Sequence, residues 1–210
     1  NTDLFKPARI EKMQGHFEEL IASSLATVEQ PISHLNILPA AERNQVLYEF
    51  NDTAADYPRH QTIHALFEQQ AANRPDYPAV AYEDIVLTYQ ELNAHANRLA
   101  HTLIETFRLQ PEECVGVLME KSEWMIVSIL GILKAGGAYM PIEPSYPQER
   151  IQYMLADTRC QVVISDHKHI SEVLSQCSGV KTIEVATLTG GSETNPKPLG
   201  NGQSLAYVIY

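Results

Sequence analysis

Eight histidines and three cysteines are the side chains of this 210-residue chain best suited to hold a metal or attack a carbon. Their spacing argues against both uses. His167-Lys168-His169 is the tightest group, and His60 and His64 sit at helical spacing, yet neither has a third donor nearby and zinc takes three or four. Cys114, Cys160 and Cys177 are odd in number and lack ligand spacing, so they read as reduced thiols of a cytoplasmic protein. No G-x-S-x-G elbow occurs, and acid pairs such as Glu112-Glu113 fall in loops where they are simply solvated.

Gly136-Gly137, Gly190-Gly191 and Gly200-Asn201-Gly202 are the places to look for phosphate binding. A phosphate loop is a glycine turn that opens a helix, so that free N–H groups and the helix dipole meet the anion. Gly136-Gly137 has the reverse order, following a helix and preceding a strand. The Gly190-Gly191 stretch is a polar surface loop, and Gly200 and Gly202 lead into a strand. Spacing alone therefore assigns no catalytic, cofactor-binding or metal-binding residue.

Composition narrows the class. The chain is 44% hydrophobic and 20% charged, which excludes a disordered tail. Its length lets about 70% of the unfolded surface leave water on folding. The balance of 15 basic and 26 acidic residues gives a net charge of −11, and no run of Lys and Arg appears. That sign opposes a grip on nucleic acid or on an anionic membrane. No apolar stretch reaches eighteen residues, and Asn1-Thr2-Asp3-Leu4-Phe5-Lys6-Pro7 has neither the basic nor the apolar part of a signal peptide.

Periodicity then sets out the elements. Ile10, Met13, Phe17, Leu20, Ile21, Leu25 and Val28 predict one amphipathic helix over residues 7–28, with Pro7 in its first turn. A short second helix from Pro39 carries Val46, Leu47 and Phe50, and the polar run 51–58 marks a domain boundary. Thr62 caps a helix that Pro75 ends; residues 79–82 and 85–88 form a hairpin around Glu83-Asp84. Thr88-Tyr89-Gln90-Glu91 is a capping box opening a helix striped by Leu92, Ala96, Leu99 and Leu103. Next come a strand at 114–119, a helix capped by Ser122 and closed by Gly136, a strand at 138–142 and a helix from Pro147. A strand at 161–165, a helix at 169–177 and strands at 181–185 and 205–210 complete the series. Strands alternating with helices predict an α/β fold, a mostly parallel sheet flanked by helices and preceded by an N-terminal helix and linker. The final strand is apolar to its last residue, which reads as a chain cut inside a core strand.

Two strings carry a resemblance. Leu87-Thr88-Tyr89-Gln90-Glu91-Leu92 and Leu133-Lys134-Ala135-Gly136-Gly137-Ala138-Tyr139-Met140-Pro141-Ile142-Glu143 resemble the first two core motifs of adenylation domains in nonribosomal peptide synthetases, in order and separation. Supporting strings are Asn51-Asp52-Thr53, Leu66-Phe67, Pro75-Asp76 and Pro144-Ser145-Tyr146-Pro147-Gln148-Glu149-Arg150-Ile151. Met140 and Glu143 depart mildly, standing where the family has Val or Leu and Asp. The resemblance covers about residues 33–210 and implies the first α/β subdomain of an adenylate-forming fold. Residues 1–32 resemble the last helix of a condensation domain, 33–58 the condensation–adenylation linker, and 59–210 the N-terminal part of the adenylation domain, cut before its phosphate-binding loop.

The resemblance implies a parent that joins an amino acid to ATP with Mg²⁺, releases pyrophosphate, and loads the acyl group onto the phosphopantetheine thiol of a carrier protein. The expected partners are the remainder of the adenylation domain, an upstream condensation domain and a downstream carrier protein. The family's phosphate loop, specificity pocket, metal-binding carboxylate and C-terminal lysine would all lie after Tyr210. The motif residues here therefore receive structural roles: Thr88 and Glu91 cap a helix, Gly136 and Gly137 turn helix into strand, and Pro141 closes that strand. No cofactor is expected on this stretch alone, which would be inactive. The rival expectations are a non-catalytic interaction or complementation module and a piece of an acyl- or aryl-CoA ligase.

Overall fold

The computed structural model describes residues 3–172, 177 and 179–210. Residues up to Tyr57 and residues from Pro58 onward form two separate compact units. In the first, α1 (Pro7–Ala26) begins with Pro7, whose missing N–H is one the first turn would leave unbonded anyway. It ends two residues before the predicted Val28, because Thr27 leaves helical φ/ψ and bonds back to Ser23 O at 3.2 Å. The apolar stripe is present but mostly exposed: α1 buries no residue, Leu20 is half-buried, and Phe17 and Leu25 are 64% and 75% exposed. α2 (Ala40–Leu47) stops short of Phe50, which falls in a following 3₁₀ turn, Glu49–Asn51. Asn51 explains the stop: its side-chain amide donates to the carbonyls of Val46 and Leu47, both at 3.0 Å, satisfying acceptors at the helix end.

The second unit opens with α3 (Ile63–Asn73), capped by the Thr62 hydroxyl, which accepts from Ala65 N–H at 3.3 Å. β1 (Pro78–Tyr82) and β2 (Ile85–Thr88) form the predicted antiparallel hairpin, with Glu83 taking φ +50° where a glycine would be easier. α4 (Tyr89–Glu105), β3 (Cys114–Leu118), α5 (Glu123–Lys134), β4 (Ala138–Ile142), α6 (Gln148–Asp157), β5 (Val162–Ser165), α7 (His167–Glu172) and β6 (Lys181–Glu184) follow. The four later strands form one parallel sheet in the order β4-β3-β5-β6, so the α/β expectation holds.

Both faces of this sheet are covered, as parallel sheets require. Alternation along β3 sends Val115 and Val117 to the α4–α5 side, where Leu99, Leu103 and Ile132 are fully buried. Leu118 faces the other way, onto Met140, Ile151, Met154 and Val163 under α6. α4 and α5 touch at Gly131, where a Cβ would stand 2.6 Å from Leu99 Cδ2. Burying each such Leu or Ile contributes about 1.5–3 kcal/mol.

Four expectations are corrected. Pro141 does not close β4, which runs on to Ile142 with Pro141 paired to Val117, its missing N–H turned to the outer edge. Ser122 stands at the N-cap of α5, but its hydroxyl makes no cap bond and lies 3.5 Å from Glu120 O instead. The helix expected at 169–177 begins earlier, at His167; residues 173–176 and 178 of that range lie outside the described residues. Residues 205–210 make a single parallel bridge, Tyr207 to Tyr139, rather than a full strand. Tyr139 N–H donates to Ala206 O and its carbonyl accepts from Val208 N–H, both at 3.0 Å. In a parallel ladder the next residue of β4 turned the same way is two further on, and that is Pro141, which has no N–H to donate.

Candidate functional site

The strongest motif occupies the amino edge of the sheet. α5 runs back against β3, so its end and the start of β4 lie beside the residues preceding β3: Glu112 N–H donates to Gly136 O at 2.8 Å and Ala138 N–H to Glu113 O at 3.0 Å. The turn is a Schellman motif, with Gly137 N–H on Ile132 O at 3.0 Å and Gly136 N–H on Leu133 O at 3.1 Å. Gly136 sits at φ +79°, and a Cβ there would stand 2.8 Å from Leu199 Cβ. Glycine is therefore required twice, by conformation and by the close passage of residue 199.

Lys134, the only cation of that motif, is sealed in. Its side chain is 0% exposed, its ammonium pairs with the Glu68 carboxylate of α3, and it donates to Asn195 Oδ1 at 3.2 Å. The Phe67 ring lies 6.0 Å from Nζ. Burial pushes the ammonium below the usual lysine range, against the pull of Glu68. Asn195 Oδ1 also accepts from the side-chain amides of Asn93 and Asn97 on α4, each at 3.0 Å. With both amide nitrogens turned toward the loop, Oδ1 of Asn93 and of Asn97 are buried without a partner among the described residues, and Arg98 Nε nearby is likewise unpaired among them. At the other motif the capping box forms as expected: Glu91 N–H reaches Thr88 Oγ1 at 3.2 Å, and Thr88 N–H reaches Glu91 Oε2 at 2.8 Å.

The carboxyl edge, where open α/β sheets bind ligands, is differently built. A cavity of about 230 Å³ is lined there by Met119, Met125, Pro141, Glu143, Tyr146 and Tyr210, among others. At the crevice between β3 and β5, where the chain reverses its order across the sheet, the Ser165 hydroxyl is buried and donates to Leu118 O. Burial would raise the Asp166 carboxyl, but hydrogen bonds from His169 N–H at 2.9 Å and from its ring hold it below the usual range. The Tyr210 hydroxyl donates to Asp157, whose carboxylate pushes that phenol up to about 12.

The remaining sequence candidates find ordinary places. His64 is buried at the start of α3, and burial lowers its imidazole below the usual range. His167 lies 3.3 Å from Glu184, and among the described residues no three His, Cys, Asp or Glu side chains gather as a metal site would require. The three cysteines are buried thiols; burial raises all three, Cys160 to about 12, the opposite of an activated nucleophile. Gly200 and Gly202 belong to a segment packed on Arg59, where a Cβ at Gly202 would meet Arg59 O at 2.2 Å. The motif around Lys134 does not fit a phosphate: its positive charge is already matched by Glu68, and its glycine turn opens a strand instead of a helix.

Comparison with known proteins now places the chain. A family model described as AMP-binding enzyme matches residues 67–210. The chain belongs to this AMP-binding enzyme family. Bacitracin synthase 3 of Bacillus licheniformis is 42% identical over 205 residues, covering 96% of this chain and 3% of that protein. Gramicidin S synthase 2 of Brevibacillus brevis is 39% identical over 209 residues, 100% of this chain and 5% of its own length. The chain thus spans a small part of the curated relatives it matches. Among solved structures, the nonribosomal peptide synthetase FmoA3 in its alpha-methyl-L-serine-AMP bound form superposes with a TM-score of 0.72 at 30% identity, over 98% of this chain and 23% of that one. The four-domain nonribosomal peptide synthetase AB3403 gives 0.67 at 25% identity, over 90% and 14%. The resemblance to synthetase adenylation domains, and the fold it implied, are borne out. No described helix of this family member is long and apolar enough to cross a membrane.

Proposed function

We propose that this chain forms the first part of an amino-acid-adenylating domain of a nonribosomal peptide synthetase, and that within it residues 1–210 supply scaffold, not reacting groups. The parent would join an amino acid to ATP as aminoacyl-AMP, with Mg²⁺, and pass the acyl group to a carrier protein's phosphopantetheine thiol. In this reading residues 1–32 end a condensation domain, 33–58 are a linker, and 59–210 lead up to the phosphate-binding loop. The observation that carries the scaffold role is Lys134: the one cation in the most specific motif is buried, paired with Glu68, and at the edge of the sheet away from where ligands bind. A free cation would be needed to stabilise charge on a transferring phosphate.

A chimera tests the assignment. Residues 59–210 would replace the matching stretch of Bacitracin synthase 3, and amino-acid-dependent exchange of pyrophosphate into ATP would be measured. Sustained exchange by the chimera, with none from the 210-residue chain alone, is the expected result. A folded chimera without exchange, or exchange by the chain alone, overturns the reading.

A second reading, as an interaction module, draws on the mostly exposed stripe of α1, where Ile10, Met13, Phe17, Ile21 and Leu25 are 45–75% exposed. A synthetase neighbour covering that stripe is compatible with both readings.

A further inference from the structure

We propose that Asn195 is a latch that seats residues 205–210 on the outer edge of β4, and that Lys134 and Asn195 are positioning residues in this sense. One oxygen, Asn195 Oδ1, receives three donors from two helices: Lys134 Nζ at 3.2 Å from α5, and Asn93 and Asn97 Nδ2 at 3.0 Å from α4. The residues just before it are tied to α4 as well. Asn97 Nδ2 donates to Glu193 O at 2.6 Å, Arg98 pairs with the Glu193 carboxylate, and His101 Nε2 lies 3.0 Å from Thr194 O. Beyond Asn195 the segment passes over Gly136 at Leu199 and over Arg59 at Gly202. It then reaches Glu112, whose carboxylate accepts from Leu205 N–H at 3.3 Å, and bonds Tyr139 through Ala206 and Val208.

The need for a latch follows from how few backbone hydrogen bonds hold the far end. Two backbone hydrogen bonds and one to Glu112 join residues 205–208 to the sheet edge, Pro141 bars the next rung, and the rest is side-chain contact: Tyr207 on Tyr139 and the Tyr210 hydroxyl on Asp157. Ordering the eleven residues from Pro196 to Ala206 costs more conformational entropy than such bonds return by themselves. Anchoring Asn195 shortens the free stretch and fixes where it starts. Residues 206–208 run parallel to β4, so whatever they carry arrives at the carboxyl edge, beside the cavity that Tyr210 lines. The latch thus lets an ion-pair network at one edge of the sheet set the geometry at the other. It rests on the adenylation reading only for the use made of that geometry.

Amide hydrogen exchange on the 210-residue chain tests this. Asn195 is itself exposed, and Asn195→Ala leaves the buried Lys134 ammonium its Glu68 partner. The amides of Val208 and Tyr139 should lose protection about tenfold while those of β3 and β5 change by less than about twofold. Asn195→Asp keeps an acceptor oxygen for all three donors and should restore protection at both amides. Unchanged protection in Asn195→Ala, an equal loss throughout β3 and β5, or failure of Asn195→Asp to restore would each overturn the latch. The adenylation reading fails on the chimera's exchange assay and the latch on these amides, so the two failures are distinguishable.

Discussion

At the amino edge of the sheet, Lys134 meets Glu68 and Asn195, and Gly136 turns under Leu199 with its N–H and that of Gly137 bonded back to α5. At the carboxyl edge, Met119, Met125, Pro141 and Ile142 line an apolar cavity with Glu143 at its rim. The same strands supply both edges. The difference shows that the specific motif of this family member marks the more tightly packed end of the sheet, even though Oδ1 of Asn93 and of Asn97 find no protein partner beside it, while the end suited to ligands is the more open one. Strings of residues that identify a family need not touch its chemistry; here they are the residues whose geometry tolerates least change.

If that contrast is real, substitutions at the amino edge should cost stability and matched ones at the carboxyl edge should not. Gly136→Ala is expected to have the largest effect. Alanine at φ +79° is strained by about 1 kcal/mol, and its Cβ would overlap Leu199 at 2.8 Å, adding about 1–3 kcal/mol of overpacking. A urea midpoint shift corresponding to about 3 kcal/mol is expected. Glu143→Ala, exposed at the opposite edge, should stay within about 0.5 kcal/mol. Comparable losses from the two would dissolve the distinction between the edges.

Lys134→Met comes next. Removing one member of a buried pair strands the other charge, which costs about 3–5 kcal/mol when the partner is fully buried. The Glu68 side chain keeps 22% of its exposure, so the expected loss is smaller, about 2 kcal/mol. Lys134→Met with Glu68→Leu should recover most of it, because an apolar pair of similar volume needs no charge compensation. A double variant no better than the single one, in chemical denaturation, would mean that Lys134 matters for packing and not for its charge.

How far these features could be read beforehand depended on how local their causes are. The capping box at Thr88 and Glu91 and the left-handed Gly136 involve neighbours within a few positions, and both form as the sequence predicts. The Lys134 pair could not be found that way: Glu68 is 66 residues distant, Asn195 is 61, and nothing in the spacing links them. The final strand failed because its partner decides it, through Pro141 on a strand some seventy residues earlier. The stripe of α1 shows a further limit. Its apolar residues recur at helical spacing, though less sharply than those of α4, yet α4 buries Leu92, Leu99 and Leu103 whereas α1 buries none, since a periodic face specifies a helix without supplying its cover.

The smallest expected effect concerns His64, buried near Lys134 and Glu68 at the start of α3. Burial, helped by Lys134 and opposed by Glu68, holds its imidazole below the ordinary 6.5. As pH falls through 6.5 the unfolded chain binds a proton at this position that the folded chain resists, so stability is full above that value and declines until folded His64 also protonates. His95, lowered by burial and by Arg98, acts in the same direction and the same window. The carboxyls of Glu91 and Asp166, held below their usual range, lose their contribution only at lower pH, below about 4.5. Between pH 7 and 5 the histidines are thus separable from the acids. His64→Gln should flatten the dependence of the urea midpoint in that interval, and adding His95→Gln should flatten it further. A single variant that keeps the full slope would show that the amino edge admits water and protons freely, and the sealed surroundings inferred for Lys134 would fall with it.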